Sequence, residues 1–258
     1  MNRLSACLIT SNEEENLPRV LSSVEGVADE IVVVDCGSKD RTQEIAREHG
    51  AKVVTRAWTN FAEQKNFAVA AASNNWILSL DADEELSTEL RGALLSWKEK
   101  EPEFAVYEFA RRTWYLGAWV KHTGWYPDFQ RRLFRREAAQ FTGIIHEALR
   151  FEGKPGRLNG DLLHYTLRSV QEHGRKVERY TTLAAQQMFA AGRQSWRAAM
   201  WFATPWTWFN NFVICLGFLD GRRGWVISRM AARSTWLKFR KLGKLVETER
   251  RAAGTKTP

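Results

Sequence analysis

Trp76-Ile77-Leu78-Ser79-Leu80-Asp81-Ala82-Asp83-Glu84-Glu85 decides how the rest of the chain is read. Five residues with the composition of a buried strand end on two carboxylates one residue apart, Asp81 and Asp83. In an open α/β sheet, ligands bind beyond the carboxyl ends of the strands. Oxygen donors suit Mg2+ or Mn2+, and Mg2+ is commonly held by one or two carboxylates together with substrate phosphates. The stretch therefore reads either as a metal–diphosphate site or as an acidic turn leading into a solvated helix. A lone D-x-D does not separate the two, but its surroundings do.

Apolar runs and helical patterns alternate through the first hundred residues. Leu4–Thr10, Ile31–Val34, Lys52–Arg56 and Trp76–Leu80 read as strands. Leu17–Val24, Thr42–His49, Phe61–Ala71 and Thr88–Lys100 read as helices, with Asn16 and Ser87 as expected N-caps. This alternation means βαβ units and a mainly parallel sheet. Strands that are apolar throughout mean a sheet covered by helices on both faces. After Pro102 the rhythm changes. Phe104–Phe109, Gln130–Phe134 and Ala148–Phe151 are expected strands with aromatic-rich connections, and from Ser169 the pattern is helical.

A chain of 258 residues, 44% hydrophobic and 26% charged, has room for an α/β core and an appendage. Leu4–Thr10 is too short, and too soon followed by Glu13, Glu14 and Glu15, to read as a targeting segment. Cys7, Cys36 and Cys215 lie far apart with no C-x-x-C, so neither a zinc site nor a disulfide framework is expected, which fits a reducing cytosol. Charge is uneven. Residues 1–156 hold 20 Lys+Arg and 24 Asp+Glu, a net of −4, whereas residues 157–258 hold 18 and 6, a net of +12. Such asymmetry points to an anionic partner for the C-terminal part, a nucleic acid or a membrane surface. No nucleic-acid motif accompanies it, and a basic nucleic-acid-binding protein would leave Asp35, Asp81 and Asp83 without a role. Nucleic acid is therefore not the expected partner.

Ala198–Leu219 carries no charge over 22 residues, and about 20 suffice to span a bilayer. Pro205, Asn210 and Asn211 interrupt it, and Trp201, Trp206 and Trp208 favour a membrane–water interface. Arg193 and Arg197 flank it on one side, Arg222 and Arg223 on the other. Interfacial helices on a membrane surface are the expectation, ahead of a buried helical core or a true span.

A parallel sheet would gather four loops on one edge: Thr10–Glu14, Asp35–Thr42, the Gln64-Lys65-Asn66 region and the Asp81/Asp83 loop. Asp35, ending an apolar strand there, is placed to accept from a base N–H or a ribose. Asp40 or Thr42 can cap the next helix. Neither G-x-G-x-x-G nor a P-loop is present, so dinucleotide and P-loop nucleotide sites are unsupported.

T-x-N-E-E at 10–14, V-V-D-x-x-S-x-D-x-T at 33–42 and L-D-A-D-E at 80–84 resemble, in order and spacing, the inverting family 2 glycosyltransferases of GT-A fold. Gln64-Lys65-Asn66, Trp125-Tyr126-Pro127-Asp128, Arg132-Leu133-Phe134-Arg135, His146-Glu147, His164-Tyr165 and Gly217-Phe218-Leu219-Asp220-Gly221 are similar to the lipopolysaccharide core β-1,4-glucosyltransferases acting on inner-core heptose. Processive synthases carry Q-x-x-R-W. Gln130-Arg131-Arg132-Leu133-Phe134 departs from that pattern and favours single-sugar transfer.

The resemblance implies a UDP-sugar donor, UDP-glucose in this subfamily, with Mg2+ or Mn2+. Thr10, Asn12 and Glu13 would line the nucleotide pocket and Asp35 the uracil or ribose. Asp81 would contact ribose or metal-bound water, Asp83 would ligate the metal, and Lys65 would add a diphosphate or base contact. Inversion needs a carboxylate base across the sugar from the metal. Glu147, 64 residues after Asp83, is the candidate, with His146 to orient it and Asp128 as the rival. Trp125, Tyr126, Asp128, Arg132 and His164 are candidate acceptor residues, with His164 also able to reach the diphosphate or metal. The expected organisation is a GT-A catalytic domain over 1–155, with a nucleotide-binding half (1–100) and an acceptor half (101–155). A helical membrane-associated region (156–250) and a tail (251–258) follow. The expected partner is a lipid-linked glycan at the cytoplasmic face of the inner membrane, where the protein is peripherally attached. A polyprenyl-phosphate carrier is the alternative acceptor.

Overall fold

Every residue of the first strand, β1 (Leu4–Thr10), is buried except the half-buried Ile9, because successive side chains point to opposite covered faces. The computed structural model describes residues 1–143, 147–167 and 169–254. The elements run α1 (Leu17–Val24), β2 (Glu30–Asp35), α2 (Thr42–Glu48), β3 (Lys52–Thr55), α3 (Phe61–Ala71), β4 (Trp76–Asp81), β5 (Glu84–Leu86), α4 (Thr88–Lys98), β6 (Val106–Tyr115), β7 (Ala118–Trp119), β8 (Asp128–Arg135), β9 (Ala139–Thr142), β10 (Ala148–Phe151), β11 (Gly156–His164), α5 (Val170–Ala190), α6 (Arg197–Phe209) and α7 (Gly221–Gly254).

The chain divides into two compact units, one of residues 1–112 with 127–166, the other of 113–126 with everything from 167 on. The sheet of the first unit has the strand order β3-β2-β1-β4-β8-β6-β11-β5. β1, β2, β3 and β4 pair in parallel, whereas β8 runs antiparallel to β4 and to β6, and β11 antiparallel to β5. The sheet is thus mixed, with its parallel half in the first hundred residues. One face buries Leu8, Leu78, Leu80 and Leu133 against Leu17 and Leu21 of α1 and Leu90 and Leu94 of α4. The other buries Cys7, Val32, Ile77 and Phe134 against Ala68 of α3 and against Phe141 and Leu149 of the β9–β10 hairpin. Ser87 caps α4, its Oγ accepting from the Leu90 N–H at 3.2 Å. Asn16 does not cap α1. Its amide donates to Glu13 (2.7 Å) and accepts from Arg19 (2.8 Å).

Two expected boundaries move. β11, placed by the sequence at the start of the helical region, is a strand of the first unit because Leu162 and His164 pair with Leu86 and Glu84. Residues 113–126 leave the expected catalytic domain, because Tyr115 and Val120 bury themselves on Leu167 and Ile227 in the second unit.

In the second unit α5 and α7 pack through Ala185, Phe239, Leu242 and Val246, and Ala199, Met200 and Ala203 of α6 lie against the same cluster. A π turn (Asn210–Ile214), a left-handed Leu216 (φ 54°) and a 3-10 turn (Gly217–Asp220) lead into α7. There Gly224 crosses so close to Gly217 that a Cβ on Gly224 would stand 1.7 Å from the Gly217 carbonyl oxygen. Asp220, in the expected G-F-L-D-G motif, accepts from the His122 backbone N–H at 2.9 Å, with its other oxygen 3.1 Å from His122 Nδ1. Among the described residues, no helix is long and apolar enough to cross a membrane.

Candidate active site

The carboxyl ends of β1 and β2 are laced by side chains that the sequence places in the turns. Asp35, wholly buried, accepts from the Gly37 and Ser38 N–H groups (2.9 and 2.8 Å), from Ser38 Oγ (2.5 Å), from Gln43 Nε2 (2.6 Å) and from Thr10 Oγ1 (3.0 Å). Burial raises its carboxyl, but the bonds from Ser38, Gln43 and Thr10 outweigh burial and hold it below the usual carboxylate range. Five donors occupy this carboxylate, so it meets a base N–H only by releasing one of them. Asn12 adopts φ 56°, a conformation asparagine tolerates. Its N–H reaches Ser38 Oγ at 2.8 Å and its side-chain oxygen the Lys39 N–H at 2.9 Å. The Glu13 N–H donates to Thr42 Oγ1 at 2.8 Å, and Asp40 accepts from the Thr42 N–H at 3.1 Å, at the start of α2. Thr10, Asn12, Glu13 and Asp35 therefore share one edge.

Asp35→Asn is expected to cost about 1–3 kcal/mol, because an amide NH2 would face donors it cannot accept. Asp35's pKa is depressed on folding, so its contribution is present above the ordinary aspartate range and lost as pH falls through the folded value. Urea unfolding at neutral and acidic pH should show the gap between the two proteins closing in acid.

At the carboxyl end of β4 the charges alternate along one chain of contacts. Glu147 Oε1 lies 3.1 Å from Lys65 Nζ, and Lys65 Nζ lies 2.8 Å from Asp81 Oδ1. Asp81 Oδ2 lies 2.5 Å from Arg132 Nη2, itself 2.6 Å from Glu84 Oε1. Glu84 Oε1 lies 3.2 Å from Arg111 Nη1, and Arg111 Nη2 lies 2.6 Å from Asp128 Oδ2. The middle of this ladder is out of water, with Lys65 2% exposed and Glu84 wholly buried. Buried charges persist only when paired. Burial pushes the Asp81 carboxyl up, but Arg132 and then Lys65 outweigh it and hold it well below the carboxylate range. Burial disfavours the Arg132 guanidinium, which Asp81 and Glu84 nonetheless keep charged.

The two candidate bases stand at opposite ends of this ladder. Asp128 is engaged at both oxygens, Oδ2 by Arg111 and Oδ1 by Gln130 Nε2 at 2.8 Å. Glu147 is held through Oε1, and its Oε2 has no hydrogen bond among the described residues. His146, expected beside it, lies outside the described residues. Lys65, the candidate diphosphate or base contact, is buried and links Asp81 to Glu147. Arg132, a candidate acceptor residue, is a buried counter-ion shared by Asp81 and Glu84. Trp125 and Tyr126 belong to the second unit, where the Trp125 ring lies 5.7 Å from Tyr115 and 5.8 Å from His173.

Asp83 stands outside the ladder. Pairing of β5 with β11 brings His164 beside it, with Nε2 3.4 Å from Asp83 Oδ2, and the Tyr165 N–H donates to the Asp83 carbonyl at 3.0 Å. That separation is long for a charge-assisted hydrogen bond. Adjacent donors around an octahedral cation with ligands at about 2.1 Å stand about 3.0 Å apart, so the two side chains would have to draw closer to share one. No group of three or more such ligands occurs among the described residues, so a cation held by Asp83 and His164 would need further ligands from a substrate. Glu84, Arg111, Gln43 and Ser38 complete the two networks; Ser38 and Glu84 fall within the quoted motifs, but none of the four was among the expected site residues. Arginines within otherwise apolar strands were the available signal for Arg111.

The profile of glycosyl transferase family 2 matches residues 5–151. An uncharacterized glycosyltransferase of Rickettsia conorii is 31% identical over 261 residues, covering 93% of this chain and 89% of its own. The lipopolysaccharide core biosynthesis glycosyltransferase LpsC of Rhizobium meliloti is 32% identical over 204 residues, covering 74% and 73%. Among solved structures, glucosyl-3-phosphoglycerate synthase of Mycobacterium tuberculosis, in complex with Mn2+, UDP and glucosyl-3-phosphoglycerate, is 22% identical over 44% of each chain, with a TM-score of 0.35.

Proposed function

The chain belongs to glycosyl transferase family 2, and on that footing we propose that it inverts configuration while moving one glucose from UDP-glucose to a lipid-linked glycan, the inner-core heptose of lipopolysaccharide. Its GT-A-like α/β fold and its glycosyltransferase relatives make it a sugar-transferring enzyme. The observation that carries the mechanism is the Lys65 ammonium, which touches Asp81 at the D-x-D strand end and Glu147 together. One buried cation thereby fixes the donor-side loop against the acceptor-side carboxylate.

In this reaction Glu147 Oε2 takes the proton of the acceptor hydroxyl as its oxygen bonds to the anomeric carbon. The bond from that carbon to the diphosphate breaks on the opposite side, and UDP leaves with the electron pair. Asp83 and His164 would hold a divalent cation, which supplies charge neutralisation to the departing diphosphate. Thr10, Asn12 and Glu13 orient the nucleotide. LpsC is named for core biosynthesis, which supports the acceptor class. The net charge of +12 in residues 157–258 suits a phosphate-bearing one. Such an acceptor is met at the cytoplasmic face of the inner membrane.

Thermal denaturation with a panel of nucleotide sugars, with and without Mn2+, tests the donor. UDP-glucose with Mn2+ should raise Tm by about 5 °C at saturating ligand, and Asp83→Ala should lose the increment due to Mn2+. Stabilisation by no UDP-sugar would overturn the donor. An undiminished Mn2+ increment in Asp83→Ala would overturn the metal assignment.

A further inference from the structure

Helix α6 is apolar on two sides. Ala199, Met200 and Ala203 face the packed cluster with α5 and α7, yet no residue of α6 is fully buried. On the remaining surface Trp201 is 71% exposed, Phe202 76% and Trp206 61%. Past the helix end Ile214 and Leu219 are each 58% exposed. Large apolar side chains exposed in such number on one short segment mark a contact surface.

Charge decides among the occupants. A second copy related by a two-fold axis would set the same +12 region against itself. An anionic leaflet complements it. Arg193 and Arg197 precede the charge-free stretch and Arg222 and Arg223 follow it. Arg222 is exposed, and the Arg197 side chain is 76% exposed, its ion pair with Glu247 at 3.6 Å a solvent-facing contact. Tryptophan and phenylalanine bordered by arginine is the composition of a helix lying in a bilayer interface.

We propose that Trp201, Phe202, Trp206, Ile214 and Leu219 enter the interfacial layer of an anionic bilayer, with the flanking arginines on lipid phosphates. The surface seats α6 and the turn after it in the plane of one leaflet. This docking rests on the exposed face and the charge beside it and requires neither the donor nor the acceptor proposed above.

Co-sedimentation of the full chain with phosphatidylcholine vesicles, and with vesicles that also carry phosphatidylglycerol, tests it without any sugar substrate. The protein should bind the phosphatidylglycerol vesicles, with a blue shift of tryptophan emission, and release as salt screens the arginines. Phe202→Asp with Trp206→Asp should lower partitioning about a hundredfold. Both positions face solvent, so circular dichroism and the thermal denaturation midpoint should match the parent. Absence of binding to either vesicle, or equal binding by the double variant, would overturn the proposal. So would a dimer in sedimentation velocity that the double variant dissociates, which would give the face to a second copy.

Discussion

Glu147→Gln is expected to lower transfer by about 10²–10⁴-fold while UDP affinity stays unchanged. The amide keeps the volume and the oxygen that faces Lys65 but cannot accept the acceptor's proton. Its effect should therefore fall on kcat rather than KM, since nothing in nucleotide binding uses this side chain. Initial rates of UDP release in the presence of acceptor, set beside calorimetry with UDP, measure the two halves separately. Asp128→Asn is the comparison. Both oxygens of Asp128 are engaged by Arg111 and Gln130, so its loss should appear in stability with turnover largely retained. If Glu147→Gln turns over at the parental rate and Asp128→Asn does not, the base is Asp128.

Arg132→Met should be the most destabilising single change in the sheet. The guanidinium lies between Asp81 (2.5 Å) and Glu84 (2.6 Å), and Glu84 is wholly buried. Removing one partner of a buried ion pair leaves the other uncompensated, at a cost of about 3–5 kcal/mol. At this chain length that is a fall in Tm of about 10 °C. The loss should depend on pH. Asp81's depressed carboxyl contributes stability that is present above the ordinary aspartate value of about 3.9 and disappears as pH falls below it. In Arg132→Met only Lys65 remains to favour the charged form. The gap between variant and parent is therefore widest at neutral pH and narrows in acid. A gap that is constant with pH would mean that lost packing, not charge, sets the cost.

The parallel half of the sheet was legible because its strands are short apolar runs punctuated by capped helices, and the D-x-D lies where such a strand must end. Glu84 was not legible. It follows Asp83 and precedes Glu85, so it looked like part of a solvated acidic turn. The cations that draw it inside, Arg111 and Arg132, are 27 and 48 residues away. The same distance hid the ion pairs of Arg132, whose partners Asp81 and Glu84 lie 51 and 48 residues away. The family resemblance implied a diphosphate or base contact for Lys65, and only the fold shows Asp81 and Glu147 on either side of it. Trp125 sat between Asp83 and Glu147 in sequence, but its ring partners Tyr115 and His173 belong to the other unit.

Interleaving of the two units has a consequence for synthesis and for trimming the chain. The segment 113–126 leaves the ribosome early, yet Asp220, which holds its backbone at His122, follows 98 residues later, and Ile227 follows later still. Loops closed over such distances form late. A nascent chain therefore completes the parallel strands with this segment still waiting for its partners. A fragment cut where the family match stops, at residue 151, would keep Tyr115 and Val120 and discard what covers them, so shortened versions should retain the helices through α7.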